Sequence, residues 1–121
     1  MRRPFPAYDG DQSYVFVCYS HDDAALVYPE IRRLHESGFN VWYDEGISPG
    51  SEWSESLATH IQQCAVFLYF VTPRSVGREH CRQELNFALD RGKQILVVHR
   101  EETQIPPALQ LNLSHRQAIL V

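Results

Sequence analysis

The sequence lacks a membrane-spanning run, a secretory signal peptide and an excess of positive charge, each of which would indicate a class of protein. No apolar run in the 121 residues approaches the roughly 20 residues that a membrane helix needs. The first six residues hold two arginines and two prolines in place of the apolar core of a secretory signal peptide, so we expect a cytoplasmic protein. The net charge of −4 argues against a nucleic-acid surface.

Cysteine is scarce as well. Cys18, Cys64 and Cys81 are widely spaced, which favours buried, reduced thiols over a disulfide framework or a zinc site. The six histidines form no HExxH pattern and do not pair with cysteine at ligand spacing. A GxGxxG fingerprint for a dinucleotide redox cofactor is also absent. We therefore predict no metal and no cofactor.

The composition is that of one folded domain. The chain is 44% hydrophobic and 21% charged, close to the average for soluble globular proteins. Residues 1–12 are rich in proline, glycine and aspartate and are predicted to form a flexible leader. The domain itself is expected to span residues 13–121.

Apolar runs alternate with amphipathic segments along the domain. Strands are predicted at residues 14–19, 39–43, 65–71, 94–99 and 117–121, and helices at about 21–37, 51–63 and 78–91. Pro29 is expected to mark either a kink in the first helix or its true start. The alternation predicts an α/β, flavodoxin-like three-layer sandwich: a five-stranded parallel sheet, order 2-1-3-4-5, with helices on both faces. A helix after the fifth strand is missing, so we expect a domain excised from a longer multidomain protein.

One loop stands out. The second strand ends at Asp44, and a loop with Gly46, Pro49 and Gly50 leads to a helix that opens at Ser51. Glycine and proline at these positions specify backbone shape. Ligands of open α/β sheets bind beyond the carboxyl ends of the strands, so this loop is predicted to border a ligand site.

Three segments together resemble Toll/interleukin-1 receptor (TIR) domains, in particular the bacterial branch. They are VFVCYSHDD (15–23), GFNVWYDEGISPGSEW (38–53) and CRQEL (81–85). The resemblance covers nearly everything from Ser13 to Val121 and implies that the loop is the family's BB loop. That loop serves self-association and gates the ligand cleft, so other TIR domains are the implied partners. Here it would comprise Glu45, Gly46, Ile47, Ser48, Pro49 and Gly50.

Membership of this family implies one of two activities. Many TIR domains hydrolyse NAD+ at the nicotinamide–ribose bond, and some cyclise the product; NAD+ would then be a substrate and not a cofactor. Others only assemble signalling complexes. A glutamate on the third helix separates the two groups, and the matching residue here is Glu84. A phospho-receiver with the same sheet is disfavoured, because residues 71–73 lack the aspartate that would accept phosphate.

The chemistry suits a single carboxylate at Glu84. Cleavage of an N-glycosidic bond leaves positive charge on the ribose, which a nearby carboxylate stabilises. Nicotinamide is already cationic in NAD+ and leaves as a neutral ring, so no general acid is needed. The alternative is a surface glutamate, as most helix glutamates are. No basic residue lies four positions away to pair with it, and neighbouring Leu85 and Ala88 place it at the edge of a buried stripe.

The resemblance adds five substrate-binding candidates. Tyr19 and Ser20 follow the first strand, although Ser20 also suits a helix cap. Asp44 would orient the ligand or start the turn, and Trp53 would lie beside the ligand or pack its helix on the sheet. His80 stands where many catalytic members carry tryptophan, so ring stacking would be weaker here.

Overall fold

A computed structural model describes residues 3–44 and 55–99 and the backbone of residues 117–120. Five strands and three helices alternate along this part of the chain. The strands are β1 (Val15–Cys18), β2 (Val41–Tyr43), β3 (Val66–Val71), β4 (Gln94–His99) and β5 (Gln117–Leu120). The helices are α1 (Ala24–Glu36), α2 (Glu55–Gln63) and α3 (Glu79–Asp90), with 3₁₀ turns at His21–Asp23 and Ser75–Gly77.

The strands form one parallel sheet in the order β2-β1-β3-β4-β5. The predicted order and fold class are therefore confirmed. Val15 at the start of β1 pairs with Val41 of β2 on one side and Val66 of β3 on the other. β3 reads VFLYFV and is buried along both faces, as expected for a central strand covered by helices on both sides.

Each face of the sheet has its own apolar core. On one face, side chains of β1 and β3 such as Phe16 and Phe67 pack with Leu85 of α3 and Ile61 of α2. On the other face, alternate side chains of the same strands pack with α1. Residues along a strand point to opposite faces in turn, so Cys18 lies on the α3 face and Tyr19 on the α1 face.

The first helix begins five residues before Pro29, so this proline is not the helix start, and a kink at Pro29 stays a prediction. Proline has no N–H, so Pro29 cannot donate to the Ala25 carbonyl. Both residues are exposed, and water can hydrogen-bond to that carbonyl instead. The helix ends where expected: Gly38 takes a φ of 98°, in the left-handed region that glycine favours. In the described ranges, no helix has the length and apolar character to cross a bilayer.

The segment before β1 lies against the edge strand β2. The Tyr8 N–H donates to the Val41 carbonyl at 2.9 Å, and the Tyr43 hydroxyl donates to the Phe5 carbonyl. The Phe5 ring is buried and stacks on His35 with ring centroids 4.1 Å apart. These contacts join the predicted leader to the domain, and its flexibility stays a prediction.

Candidate functional site

Glu84 lies in the buried stripe of α3 and not at the edge of it. The buried residues of this helix are Cys81, Glu84, Leu85 and Ala88, a spacing that faces the sheet. Glu84 is only 4% exposed. A carboxyl at a position that would suit an apolar side chain costs stability, which makes a functional reason for it more probable than for a surface glutamate.

The surroundings of Glu84 disfavour its charge. Burial, and next the negative charge of Cys81, raise the pKa of Glu84 to about 8. His80 and a hydrogen bond from the Cys18 thiol act in the opposite direction, and Asp44 adds to the rise. Among the described residues, no lysine or arginine forms a salt bridge with Glu84. Its carboxyl lies near Cys18 at the end of β1 and Asp44 after β2, and the raised pKa favours the protonated form at neutral pH.

Cys18, His80 and Cys81 surround the carboxyl. The Cys81 sulfur lies 3.6 Å from His80 Nε2, and the Cys18 thiol donates to the Cys81 carbonyl at 3.7 Å. The backbone of Tyr19 lies near enough to His80 to add to the rise of the His80 pKa. All three cysteines are buried and free, in agreement with the sequence prediction of reduced thiols. What the sequence missed is that two of them meet beside Glu84.

Tyr19 points away from Glu84. Its ring belongs to the α1-facing core, and its hydroxyl donates to the Asp44 carbonyl at 2.7 Å and lies 3.3 Å from the Tyr28 hydroxyl. Burial, and next the hydrogen bond with Tyr28, raise the pKa of Tyr19 far above its usual value. The side chain thus ties the end of β2 to β1. A direct contact of Tyr19 with substrate remains a prediction.

Ser20 follows Tyr19 between β1 and the 3₁₀ turn. Its side chain is 1% exposed, and its hydroxyl has no hydrogen-bond partner among the described residues. Ser20 does occupy the cap position of the 3₁₀ turn, with its carbonyl accepting from the Asp23 N–H at 2.8 Å, but the hydroxyl makes no capping bond. An unpaired buried hydroxyl is unusual and leaves a donor for a ligand.

His21 is a member of the site that the sequence did not single out. Its Nε2 lies 3.7 Å from an Asp44 carboxylate oxygen, and its ring centroid lies 5.5 Å from that of His80. Burial lowers the pKa of His21, and the negative charge of Asp44 opposes that shift. The available signal was its position directly after Ser20, at the carboxyl end of β1.

Comparison with known proteins decides the family. A family model described as "TIR domain" matches residues 15–120. The chain belongs to the TIR domain family. A curated relative, the "NAD(+) hydrolase TcpA" of Theionarchaea archaeon (strain DG-70-1), is 27% identical to this TIR domain over 100 residues. The match covers 74% of this chain and 30% of the relative, so the TIR domain spans less than a third of that protein.

Three solved structures share the fold of this TIR domain. The TIR domain of the Toll-related receptor TRR-2 from Hydra magnipapillata superposes with a TM-score of 0.72 at 18% identity, covering 88% of this chain and 82% of that one. A metazoan TIR-STING receptor from C. gigas gives 0.66 at 19% identity, with 88% and 38% covered. The Clostridium botulinum CMP N-glycosidase BcmB gives 0.64 at 16% identity, with 90% and 87% covered.

Two acids, one buried and one exposed, hold the site's framework together. Asp23 is 2% exposed and accepts a hydrogen bond from the Thr72 hydroxyl at 2.5 Å as well as an ion pair from Arg74. Asp22 beside it is exposed and pairs with Arg78. The two pairs join the turn after β1 to the segment between β3 and α3. This TIR domain therefore fixes Ser20 and His21 relative to the start of the helix that carries Glu84.

The remaining predicted site residues of the TIR domain lie outside the described residues. They are Trp53 and the association loop, Glu45, Gly46, Ile47, Ser48, Pro49 and Gly50. Among the side chains that the structure does describe, no group of three His, Cys, Asp or Glu residues has the arrangement of a metal site. Of the predicted residues that are described, Asp44 and His80 lie near Glu84, and Ser20 directly follows Tyr19 after the end of β1.

Proposed function

We propose that this TIR domain cleaves the nicotinamide–ribose bond of NAD+, with Glu84 as the catalytic carboxylate. The observation that carries the proposal is the position of Glu84: a buried carboxyl in the sheet-facing stripe of α3, beside the carboxyl ends of β1 and β2. Ligands of open parallel sheets bind at this edge. A shifted pKa in such a place is a common property of catalytic acids and bases.

The reaction needs little beyond one negative charge. As the glycosidic bond breaks, its electron pair leaves with nicotinamide, which becomes a neutral molecule. The ribose carbon becomes cationic, and ionised Glu84 stabilises that charge. Water then adds to the cation and releases a proton, so NAD+ and water yield nicotinamide, ADP-ribose and a proton. The buried setting of Glu84 strengthens the attraction because little water screens it.

Other residues would hold the substrate. The buried Ser20 hydroxyl follows β1 and the Asp44 carboxylate follows β2, and both suit the hydroxyl groups of a ribose. The His80 ring is half-buried and presents a face for stacking. Trp53 is assigned by the resemblance alone. The similarity to an NAD(+) hydrolase over 74% of this chain supports the same substrate.

Self-association would activate the enzyme. The resemblance assigns residues 45–50 to contacts between TIR domains, and a neighbouring copy would complete the cleft. An isolated domain would then be weakly active. The setting that fits such a switch is signalling or bacterial immune defence, with other TIR domains as partners.

The test is release of free nicotinamide from NAD+ by the concentrated chain, alone and fused to an oligomerising domain. Glu84→Gln keeps the shape of the side chain and removes the charge, and it should reduce release at least about 100-fold. Glu79→Gln is the matched control, because Glu79 is an exposed glutamate on the same helix and should keep full activity. Equal release by wild type and Glu84→Gln would exclude Glu84 as the catalytic residue.

A non-catalytic scaffold for TIR–TIR contact is the second candidate. One observation favours it: burial keeps Glu84 protonated at neutral pH, and a neutral buried carboxyl also suits a structural residue. A scaffold would self-associate, and sedimentation would measure this. It would release no nicotinamide, even when clustered. Nicotinamide release that depends on Glu84 would reject this candidate.

A further inference from the structure

We propose that Cys81 is a positioning residue for Glu84: its sulfur contacts His80 and holds the His80 ring beside the carboxyl. This inference rests on the proposed function of Glu84. It concerns a thiol that neither the resemblance nor the relatives assign to the site.

The geometry brings four side chains from two elements together. Cys18 is the last residue of β1, while His80, Cys81 and Glu84 lie in the first two turns of α3. Glu84 follows Cys81 by three residues and His80 by four, so both lie on its side of the helix. Successive helix residues do not normally face each other, yet the His80 Nε2 lies 3.6 Å from the Cys81 sulfur.

The contact between Cys81 and His80 favours opposite charges on the two side chains. The hydrogen bond from Cys18, and next the contact with His80, lower the pKa of Cys81 to about 6. The hydrogen bond with Cys81 raises the pKa of His80 to about 9 against the opposing effect of burial. Between these two values the favoured state is a thiolate beside an imidazolium. A thiolate of this kind is stabilised by its cationic partner.

Cys81 and His80 both shift the pKa of Glu84. The negative Cys81 raises its pKa and is the largest contribution after burial, while His80 lowers it by less. Other titratable groups face the cluster from every neighbouring element. They are Asp44 at the end of β2, Tyr69 of β3, His21 and Asp23 of the turn before α1, and Arg82 of α3.

The test follows the His80 ring and the Glu84 carboxyl by NMR titration of the full chain, which needs no catalytic activity. Cys81→Ser keeps the size of the side chain and removes the thiolate. The His80 midpoint should fall by about one pH unit or more, and the Glu84 midpoint by about half a unit or more. Cys81→Ala is the second variant in case the serine variant folds poorly.

Cys64→Ser is the matched control. Cys64 is also buried and free, but it precedes β3 at the opposite edge of the sheet, where its thiol donates to the Ile61 carbonyl at 3.0 Å. This variant should leave both midpoints in place. A His80 midpoint unchanged by loss of Cys81 would overturn the proposed contact, and a Glu84 midpoint that stays or rises would overturn the positioning role. Absence of nicotinamide release would count against the proposed function alone, since neither titration depends on turnover.

Discussion

The Cys18 thiol donates to the Cys81 carbonyl at 3.7 Å, so the last residue of β1 touches the turn of α3 that leads to the candidate catalytic residue Glu84. This contact places Glu84 at the edge of the sheet where the first two strands end. It also gives the carboxyl a neighbour that titrates. The protonation state of Glu84 is therefore the property on which the activity should depend most.

Cleavage of NAD+ should increase with pH. Only ionised Glu84 stabilises the ribose cation, and the pKa of Glu84 is raised to about 8, first by burial. We expect kcat/KM to rise through that pH, and kcat to rise at a lower pH because bound cationic substrate favours the carboxylate. Initial rates of nicotinamide release between about pH 6 and pH 9.5 check this. A rate that is flat or falls over the range would contradict it.

Glu84→Gln should make stability less dependent on pH. In the wild type the pKa of Glu84 rises from the ordinary 4.5 to about 8 on folding, so between these values the native state binds a proton that the unfolded chain has lost. The stability that Glu84 contributes is complete below 4.5 and is lost as pH rises to about 8.

Urea denaturation of both proteins measures this effect. Between about pH 5 and pH 7, the free energy of unfolding of the wild type should fall by about 2 kcal/mol more than that of Glu84→Gln. His80 and Cys81 also titrate, but they are present in both proteins, so the difference isolates Glu84. An equal pH dependence in the two proteins would mean that Glu84 titrates normally.

Asp23→Ala should destabilise the fold far more than Asp22→Ala. Asp23 is buried and is joined to Thr72 and Arg74, so its removal leaves these groups without their partner and should cost about 2–4 kcal/mol. The Asp22 pair with Arg78 is exposed on both sides and should be worth less than about 1 kcal/mol. Denaturant midpoints of the two variants check the order, and similar losses would contradict it.

Phe5→Ala tests whether the leader belongs to the folded unit. Phe5 is 7% exposed and packs on His35 and Tyr43, so its truncation should cost about 1–3 kcal/mol. Asp9→Ala, at an exposed position of the same segment, should be neutral within about 0.5 kcal/mol. Thermal unfolding of both variants is the measurement. A neutral Phe5→Ala would support the flexible leader that the sequence predicted.

The sequence alone determined the sheet and its order. Apolar runs with strand composition, separated by amphipathic segments, leave few arrangements once parallel crossovers must be right-handed. It also pointed to Glu84, because the segment 81–85 matched a family pattern. Pro29 is not the start of the first helix, because an exposed helix position tolerates a lost hydrogen bond that a buried one would not.

Only the tertiary structure decided which side chains share the site. Glu84, Cys18 and Asp44 come from three separate elements, and no spacing in the sequence relates them. Strand alternation and packing turned Tyr19 toward α1 and Cys18 toward α3, although the two are neighbours in the chain. Burial then altered the acidity of Glu84, because the free energy of a charge depends on everything around it and not on the residue alone.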